Sequence, residues 1–398
     1  MNIEKAFYQK LMEDLFADPC EVKFWDGEVV NYGAGEARFQ INFNEPIDKK
    51  DILSDFSTAF GEGYMHKKID IEGSVQKVIE SIYNRQDSVF HQKSTYLRLA
   101  KIISNNIHKS KENIQFHYDI GNDFYNLWLD ETMTYSCAYF KSPDDSLAQA
   151  QCNKVDHILR KLNLQPGQSL LDIGCGWGEL ILSAAKNYQV KALGITLSSE
   201  QHTHVFNRIQ EEGLQDLVDV KLVDYRELRD RTFDRVVSVG MIEHVGKEYL
   251  KEYFTTVKSL LNEGGVSLLH CITGYNEGGT NSWINKYIFP GGYIPAIQEL
   301  VKLMAVNSFY IIDVESLREH YTRTLEHWSH NFEEALPLIR KMKNETFIRM
   351  WRLYLNACAA SFHCGNIDIH QFMFTKGTNN NWPMTREFMY CDLENTCH

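Results

Sequence analysis

The stretch that decides the fold is Leu170-Leu-Asp-Ile-Gly174-Cys-Gly176-Trp-Gly178, in which three glycines follow a short apolar run. Glycines at the end of a strand let the backbone turn sharply and lie close to a ligand. The spacing is G-x-G-x-G and differs from the G-x-G-x-x-G of dinucleotide folds, in which a helix N-terminus faces a pyrophosphate. The loop therefore favours a nucleoside cofactor without phosphates, with S-adenosylmethionine the main candidate. The alternative is a tight turn that binds no ligand.

The sequence around this loop alternates short apolar runs with longer helical patterns, as is typical of a parallel sheet covered by helices. Helices are predicted, for example, at 179–186 and 198–212. The predicted strands are 169–173, 190–195, 218–223, 233–239 and 266–271, with a late pair at 309–314 and 367–375 that would complete the sheet. The fold class is therefore α/β, with a Rossmann-like sheet.

Polar side chains near the predicted strand ends suit a nucleoside. Asp172 would lie near the cationic sulfonium of S-adenosylmethionine. The second strand ends in the hydroxyls and the amide of Thr196 to Gln201 without an acid at its tip, which counts against NAD. After the third strand, Asp224 and Tyr225 offer a carboxylate and an aromatic face for an adenine ring. Asp224 could instead cap the following helix.

Length and charge narrow the class of protein. A chain of 398 residues is long enough for about two or three domains. Its net charge of −12 argues against general nucleic-acid binding. The sequence has no spanning apolar run and no secretory signal at its start, which predicts a cytoplasmic chain. The nine cysteines lack a CxxC pair, so we expect reduced thiols and no metal site.

Composition suggests three segments. Residues 1–90 are predicted to form a smaller mixed α+β domain, with half-buried strands within 21–30 and 37–43. Residues 91–111 form a basic linker, and 112–398 form the catalytic domain. The linker contains Lys93, Arg98, Lys101, Lys109 and Lys111 and no acidic residue.

Two basic segments are candidates for membrane contact. The linker could form a basic amphipathic helix that approaches anionic lipid, or a solvated helix packed on its own protein. A second basic cluster at 340–352 lies beside apolar residues such as Met342 and Trp351 and suits a basic and apolar interface. The alternative for that cluster is a helix with one solvated face.

Longer motifs make the sequence resemble the cyclopropane-fatty-acyl-phospholipid synthase family and its mycolic acid cyclopropane synthase relatives. The resemblance covers most of the chain and is weaker in the N-terminal domain. The motifs are Gln115-Phe-His-Tyr-Asp-Ile-Gly-Asn-Asp-Phe-Tyr125, Tyr135-Ser-Cys-Ala-Tyr-Phe140, Leu171-Asp-Ile-Gly-Cys-Gly-Trp-Gly178, Ser238-Val-Gly-Met-Ile-Glu-His-Val-Gly246, Trp283-Ile-Asn-Lys-Tyr-Ile-Phe-Pro290 and Arg349-Met-Trp-Arg-Leu-Tyr-Leu355.

The resemblance implies an S-adenosylmethionine-dependent methyltransferase that acts on the cis double bond of a phospholipid acyl chain. The methylated carbocation would lose a proton to a bound bicarbonate ion and close to a cyclopropane. It also implies a lipid-docking N-terminal domain, a homodimer and peripheral contact with the inner face of the membrane. A related lipid C-methyltransferase giving a methyl-branched or methylene product, or a small-molecule methyltransferase, stays open as an alternative.

The family motifs carry site residues over to this sequence. The catalytic set implied around bicarbonate is Cys137, Glu243, His270, the backbone of Ile272 and Tyr321. Cys358 lies in a motif where a cysteine has been regarded as a nucleophile, although core packing is the favoured interpretation. The implied cofactor contacts are Tyr135, Ser136, Asp172, Gly174, Gly176, Gly178, Thr196, Ser198, Gln201, Tyr225 and Arg226.

Overall fold

The computed structural model describes residues 3–85, 120–229, 231–278 and 280–390. The predicted basic linker at 91–111 and the start of the motif at 115–125 lie outside these residues. The chain divides into two compact units. What we call the N-terminal unit takes its residues from Met1–Ile102, Gly279–Pro290 and Leu325–Ile367, and the large unit from Ile103–Gly278, Gly291–Thr324 and Asp368–His398.

The first described segment forms a small mixed sheet with helices. Its elements are α1 (Ile3–Leu15), β1 (Cys20–Lys23), β2 (Val29–Tyr32), β3 (Gln40–Phe43), α2 (Lys49–Ser54), α3 (Phe56–Met65), β4 (Ile69–Glu72) and α4 (Val75–Asn84). The strand order is β2-β1-β3-β4, in which only β1 and β3 are parallel.

The stretch at 21–30, predicted to contain half-buried strand, forms β1 and the start of β2. Gly27 adopts a φ of +87°, and the Phe24 amide donates to the Glu28 carbonyl at 2.8 Å. A tight turn therefore interrupts the alternating pattern and folds β2 back on β1. Helix α4 follows β4, and its first turn is capped by the Ser74 hydroxyl.

The second described segment contains the glycine loop and most of the large sheet. Its elements are α5 (Asn122–Tyr125), α6 (Leu147–Lys161), β5 (Ser169–Ile173), α7 (Glu179–Tyr188), β6 (Lys191–Thr196), α8 (Ser199–Glu211), β7 (Val218–Leu222), β8 (Phe233–Val239), α9 (Leu250–Leu260) and β9 (Leu261–Thr273). Short 3-10 turns follow β7 and β8, at Tyr225–Glu227, Ile242–His244 and Lys247–Tyr249.

The last segment contributes to both units. Its elements are α10 (Ser282–Tyr287), α11 (Ile297–Val306), β10 (Phe309–Ser316), α12 (Arg318–Glu334), α13 (Leu336–Met342), α14 (Glu345–His363), β11 (Asp368–Lys376) and α15 (Glu387–Tyr390). None of the helices in the described ranges is both long enough and apolar enough to cross a bilayer.

The large sheet has the strand order β10-β11-β9-β8-β5-β6-β7. Strands β9, β8, β5, β6 and β7 run parallel, whereas β11 and β10 are antiparallel to their neighbours. The predicted strands, including the late pair, are confirmed with shifted bounds, and the α/β fold class is confirmed. The carboxyl ends of the parallel strands and the start of β11 therefore meet at one edge of the sheet.

The N-terminal unit includes α14, which the sequence-based division assigned to the catalytic domain. Arg349 of this helix donates to the carbonyls of Tyr64 and Ile69 at 2.5 and 2.7 Å and pairs with Asp70 at 2.8 Å. Its guanidinium also lies 4.0 Å from the centre of the Tyr64 ring. One buried arginine thus joins α14 to α3 and β4, across almost 300 residues of sequence.

The basic and apolar interface predicted at 340–352 is wrong for α14. Ile348 and Trp351 are 0% and 1% exposed, so they belong to the core. Arg349 is buried as described above, and Arg352 pairs with Glu333. The helix therefore uses its apolar face and its arginines within its own unit, as its amphipathic pattern permits.

Candidate functional site

The glycine loop turns away from the sheet directly after β5. Gly174, Gly176 and Gly178 have φ values of +85°, +55° and +90°, a region that side chains with a Cβ rarely adopt. The amides of Gly174 and Cys175 both donate to the carbonyl of Ile195 at 3.0 Å. The first part of the loop is thereby fixed to the end of the neighbouring strand, β6.

The outer glycines of the loop are also required by close packing. A Cβ on Gly178 would lie 2.9 Å from a methyl group of Val205 on α8, and one on Gly174 would lie 3.0 Å from Met241. A Cβ on Gly176 would meet nothing within 4 Å. The loop therefore packs tightly at both ends and leaves open space at its centre, where a ligand can approach the backbone.

A cleft at the carboxyl edge of the large sheet surrounds this loop. Its walls come from residues 132–136, 172–180, 195–197, 201, 223–226, 239–241, 244 and 245, together with two residues of α6. Every predicted cofactor residue except Ser198 lines it: Tyr135, Ser136, Asp172, Gly174, Gly176, Gly178, Thr196, Gln201, Tyr225 and Arg226. The structure thus gathers residues from six separate parts of the sequence into one cavity.

Ser198 does not line the cleft but supports it. Its hydroxyl accepts from the Gln201 amide at 3.3 Å and caps α8. The Thr196 hydroxyl in turn donates to the Gln201 side-chain oxygen at 2.7 Å. Capping by Ser198 therefore fixes the start of the helix that carries Gln201, whose side chain is positioned by Thr196.

The alternative role for Asp224 as a helix cap is confirmed. One carboxylate oxygen accepts from the backbone amide and the Nε of Arg226, each at 2.9 Å, and the other accepts from its Nη2 at 2.8 Å. The guanidinium lies 5.4 Å from the centre of the Tyr225 ring. This pair holds Tyr225 in the cleft wall, and the Tyr225 hydroxyl is buried without a partner among the described residues.

Tyr125, in the described part of the motif at 115–125, forms ring contacts with Trp177 of the glycine loop and with Tyr135. The ring centres of Tyr125 and Trp177 lie 5.6 Å apart, and those of Tyr125 and Tyr135 lie 5.4 Å apart. The Trp177 indole donates to the Asn122 side chain at 3.1 Å. This cluster connects the glycine loop to the loop that carries Tyr135 and Ser136.

Two buried charged groups line the cleft. Lys154 of α6 is 4% exposed and donates to the Ser136 hydroxyl at 2.9 Å. Asp172 is 3% exposed, and its Oδ1 has no hydrogen-bond partner among the described residues. Burial lowers the pKa of Lys154 to about 8 and raises that of Asp172 to about 7.

Glu243 lies in the 3-10 turn after β8. Its Oε1 accepts from the Ile272 amide on β9 at 2.7 Å, while its Oε2 is buried without a partner among the described residues. Burial raises the pKa of this carboxyl from 4.5 to about 7. The Ile272 amide therefore fixes the position of the Glu243 carboxyl.

His270 lies on β9, two residues before Ile272. Gln371 lies opposite it on the neighbouring strand β11, and the side-chain nitrogen of Gln371 lies 3.1 Å from the Nδ1 of His270. An amide nitrogen is a donor, so Nδ1 accepts and the neutral ring carries its proton on Nε2. That Nε2 is buried without a partner among the described residues. Burial lowers the pKa of His270 to about 3, which keeps the ring neutral.

Cys137 and Tyr321 are connected to this group through the backbone of Leu317. The Cys137 sulfur lies 3.9 Å from the Leu317 carbonyl, to which the Tyr321 amide donates at 3.1 Å. The Leu317 amide donates to Ile369 of β11, which pairs with Ile272. Burial raises the pKa of Cys137 strongly, so it is present as a thiol. The structure therefore brings the five implied catalytic residues to one edge of the sheet.

Cys358 is not among them. It lies on α14 in the N-terminal unit, whereas the other five residues belong to the large unit. Burial raises the pKa of its thiol to about 12, which disfavours the reactive thiolate. These observations favour core packing, the interpretation preferred from the sequence.

Sequence reasoning missed Lys154 and Gln371. Lys154 lies one helical turn after the buried Ala150 and one turn before the buried Ile158, at spacings that predict an inward position on α6. Gln371 is a polar residue inside a strand that is buried along almost its whole length. A polar side chain at a predicted core position was the available signal in both cases.

Comparison with known proteins assigns this chain to a family. Residues 105–372 match the family model described as mycolic acid cyclopropane synthetase, and residues 7–94 match a domain of unknown function. A probable fatty acid methyltransferase of Pseudomonas putida is 38% identical over 382 residues, 94% of this chain and 96% of that protein. The cyclopropane-fatty-acyl-phospholipid synthase of Escherichia coli is 37% identical, covering 88% of this chain and 92% of its own.

A solved structure agrees with these relatives. The mycolic acid cyclopropane synthase complexed with SAH and CTAB superposes with a TM-score of 0.64 and is 37% identical, over 67% of this chain and 98% of that one. The SAH in that complex is S-adenosylhomocysteine, the product form of S-adenosylmethionine. The chain is an S-adenosylmethionine-dependent methyltransferase and belongs to the mycolic acid cyclopropane synthetase family.

Proposed function

We propose that this protein converts the cis double bond of an unsaturated phospholipid acyl chain into a cyclopropane, with S-adenosylmethionine as the donor of the added carbon. One observation carries the proposal. The Oε2 of Glu243 and the Nε2 of His270 are buried and unpartnered within the described chain, at the same sheet edge as the cofactor cleft. An acceptor and a donor kept in this state suit a small polar group that must be held in a dry site.

The residues present fit a bicarbonate ion. Bicarbonate would supply the base that removes a proton from the methylated acyl chain. The His270 N–H would donate to the anion, and the Glu243 carboxyl would accept the anion's own proton. The Cys137 thiol and Tyr321 hydroxyl would complete the donors, and the Ile272 amide would orient Glu243.

Exclusion of water is the other requirement of this chemistry. An alkene is a weak nucleophile, and the cation formed from it reacts with any water nearby. Glu243 Oε2 and His270 Nε2 are both buried, and His270 is 0% exposed. The aromatic cluster of Tyr125, Tyr135 and Trp177 adds ring faces that would stabilise positive charge.

Two alternatives share the cofactor cleft. A lipid C-methyltransferase would leave a methyl-branched or methylene product, because the fate of the cation depends on how it loses its proton. A small-molecule methyltransferase would also use the glycine loop. The latter has no need of a base for a carbon-bound proton, and therefore leaves the buried Glu243 and His270 pair unexplained.

The test is to incubate the protein with S-adenosylmethionine and vesicles of monounsaturated phospholipid and to analyse the acyl chains by mass spectrometry. We expect a gain of one CH₂ and a product that resists hydrogenation. A hydrogenated product would indicate the methylene alternative. No mass gain on any unsaturated lipid would refute both lipid proposals.

We also propose that the protein works at the cytoplasmic face of the membrane, with residues 1–90 as its lipid-docking domain. In the N-terminal unit, α13 presents Leu338 and Met342, which are 49% and 44% exposed, beside the exposed Arg340 and Lys341. An exposed apolar pair flanked by cations suits an anionic bilayer surface. The linker residues Lys93, Arg98 and Lys101 remain a second candidate outside the described residues.

Vesicle sedimentation distinguishes these two surfaces. Replacing Leu338 and Met342 by Ser should weaken binding to vesicles that contain anionic lipid if α13 docks, and neutralising the three linker cations should do so if the linker docks. Full binding by both variants would refute both surfaces. The homodimer that the family resemblance implies is tested separately by light scattering on the purified protein, where a monomer mass at working concentration would contradict it.

A further inference from the structure

Lys154 is a buried lysine that no family motif singled out. It lies on α6, lines the cofactor cleft and is 4% exposed. Its ammonium donates to the Ser136 hydroxyl at 2.9 Å. An ammonium has three donor protons, and Ser136 is its one hydrogen-bond partner within the described chain. Lys154 therefore has donors to spare where a ligand would lie.

Asp172 offers the opposite charge in the same cleft. Its Oδ1 accepts no hydrogen bond from the described residues, and the carboxylate does not come within ion-pair distance of Lys154. The two groups still influence each other, since Lys154 lowers the pKa of Asp172 against the larger effect of burial. Two buried charges that do not neutralise each other by contact are costly unless a ligand pairs with them.

The amino-acid end of S-adenosylmethionine has a matching arrangement. Its α-ammonium and α-carboxylate are attached to the same carbon, so an acid and a base near each other can each pair with one of them. We propose that Lys154 binds the α-carboxylate of the cofactor and that Asp172 binds its α-ammonium. Ser136 positions the Lys154 ammonium for this contact. The inference rests on the proposed function only through its cofactor.

This contact would give Lys154 a defined part in the reaction. The sulfonium that carries the transferred methyl is three bonds from the α-carbon, so fixing both charges of the amino-acid end limits where the methyl can point. The glycine loop approaches the ligand with its backbone and supplies no side-chain charge. Lys154 is thus a binding and positioning residue, distinct from the groups around Glu243.

The test is a cycle of two ligands and two proteins, measured by isothermal titration calorimetry on the full chain. The ligands are S-adenosylhomocysteine and its decarboxylated form, which lacks only the carboxylate. We expect Lys154→Met to weaken S-adenosylhomocysteine about tenfold to a hundredfold, as for a lost hydrogen bond between charged groups. Binding of the decarboxylated ligand should change less than about twofold.

Controls separate this role from a structural one. Lys154→Arg should recover part of the affinity, and Lys191→Met, which removes an exposed lysine of β6, should bind both ligands as the wild type does. Methylthioadenosine, which lacks the amino-acid portion, reports whether the adenosine end of the cleft is intact. Its unchanged binding is expected for Lys154→Met.

Two results would overturn the inference. If Lys154→Met lost affinity equally for S-adenosylhomocysteine and its decarboxylated form, the role of the lysine would be structural. If Lys154→Met bound S-adenosylhomocysteine as tightly as the wild type does, the lysine would not contact the cofactor. Both results leave the lipid reaction standing, because they are measured without lipid. Failure of the wild type to bind S-adenosylhomocysteine at all would instead refute the cofactor, and with it this inference.

Discussion

The Glu243→Gln variant separates the energetic cost of burying this carboxyl from its use in catalysis. In the wild type, the Ile272 amide donates to Oε1 of Glu243 at 2.7 Å. Glutamine has the same shape and keeps an oxygen that can accept this hydrogen bond. What it removes is the ionisation of a group whose second oxygen is buried without a partner in the described chain. The fold should therefore survive the change, while the proposed proton acceptor is lost.

The magnitude follows from the pKa of Glu243, which rises from 4.5 to about 7 in the folded protein. At about 1.4 kcal/mol for each pH unit between these values, the ionised carboxyl destabilises the folded state by about 3 kcal/mol. The pKa is higher in the folded state, so the protonated carboxyl carries no such cost and the protein has its full stability below pH 4.5. The free energy of unfolding then falls as the pH rises through 7.

Urea unfolding of wild type and variant at a series of pH values measures the effect. The free energy of unfolding of Glu243→Gln, minus that of wild type, should rise by about 3 kcal/mol between pH 4 and pH 9. Any constant cost of burying the amide nitrogen cancels in this change. The control Glu248→Gln, at an exposed position five residues along, should give a flat difference within about 0.5 kcal/mol.

A flat difference for Glu243→Gln would refute the claim that burial controls this carboxyl. The same variant has a kinetic consequence. Binding of S-adenosylhomocysteine should stay within about twofold of wild type, while turnover on unsaturated lipid should fall about a hundredfold, in the range expected for loss of a general base. Wild-type turnover would exclude Glu243 from the proposed chemistry.

Other predictions address the glycine loop, the N-terminal unit and the proposed anion. Gly178→Ala should lower stability by about 3 kcal/mol in thermal unfolding, because its φ of +90° is strained for alanine and the new methyl would lie 2.9 Å from Val205; an unchanged melting temperature would contradict this. Arg349→Met should cost about 3 kcal/mol by removing the hydrogen bonds of a buried guanidinium to two carbonyls and its pairing with Asp70, whereas the exposed Arg340→Met should stay within about 0.5 kcal/mol; equal losses would refute the distinction. Turnover in carbon-dioxide-free buffer should fall about a hundredfold and return on addition of bicarbonate, and full activity without it would exclude the anion.

The large sheet could be predicted because strands buried on both faces appear as continuous apolar runs. The runs at 169–173 and 233–239 agree with β5 and β8 residue for residue. Strand β9 begins at Leu261, five residues before the prediction, because its first residues include Gly264 and Gly265, which interrupt the apolar run. Hydrogen bonding to neighbours sets such boundaries, and periodicity does not record it.

The composition of the N-terminal unit could not be predicted in the same way. Nothing in local periodicity indicates that α10 and α14 belong with the first segment of the chain. Trp283 of α10 packs so closely on α3 that a Cβ on Gly61 would lie 2.4 Å from its ring, and its indole contacts Met65 at 3.3 Å. The motif around Trp283 therefore includes a packing requirement, which a family resemblance alone does not separate from function.

The candidate site was predicted through motifs and the family resemblance, and the residues that this prediction missed show its limit. Glu243 lies within a recognisable motif and His270 lies at the end of the predicted strand at 266–271, whereas Gln371, which fixes the tautomer of His270, lies inside an apolar strand. Lys154 lies on a helix with many polar residues, where a lysine is usually solvated. Supporting residues of this kind are identified by burial and partners, which only the folded chain supplies.

The cofactor cleft and the group around Glu243 both depart from the rule that buried polar atoms are hydrogen-bonded. Asp172 and Lys154 in the cleft, and Glu243 and His270 beside it, keep polar groups buried with acceptors or donors unused by the described chain. Such groups destabilise a protein, and they persist only where the surrounding structure holds them. Here the sheet does so, since the register of β9 with β8 and β11 fixes His270 on both sides. Variants that replace the charged groups Asp172, Lys154 or Glu243 with neutral isosteres should therefore gain stability at neutral pH as they lose function, a pairing that a purely structural role would not produce.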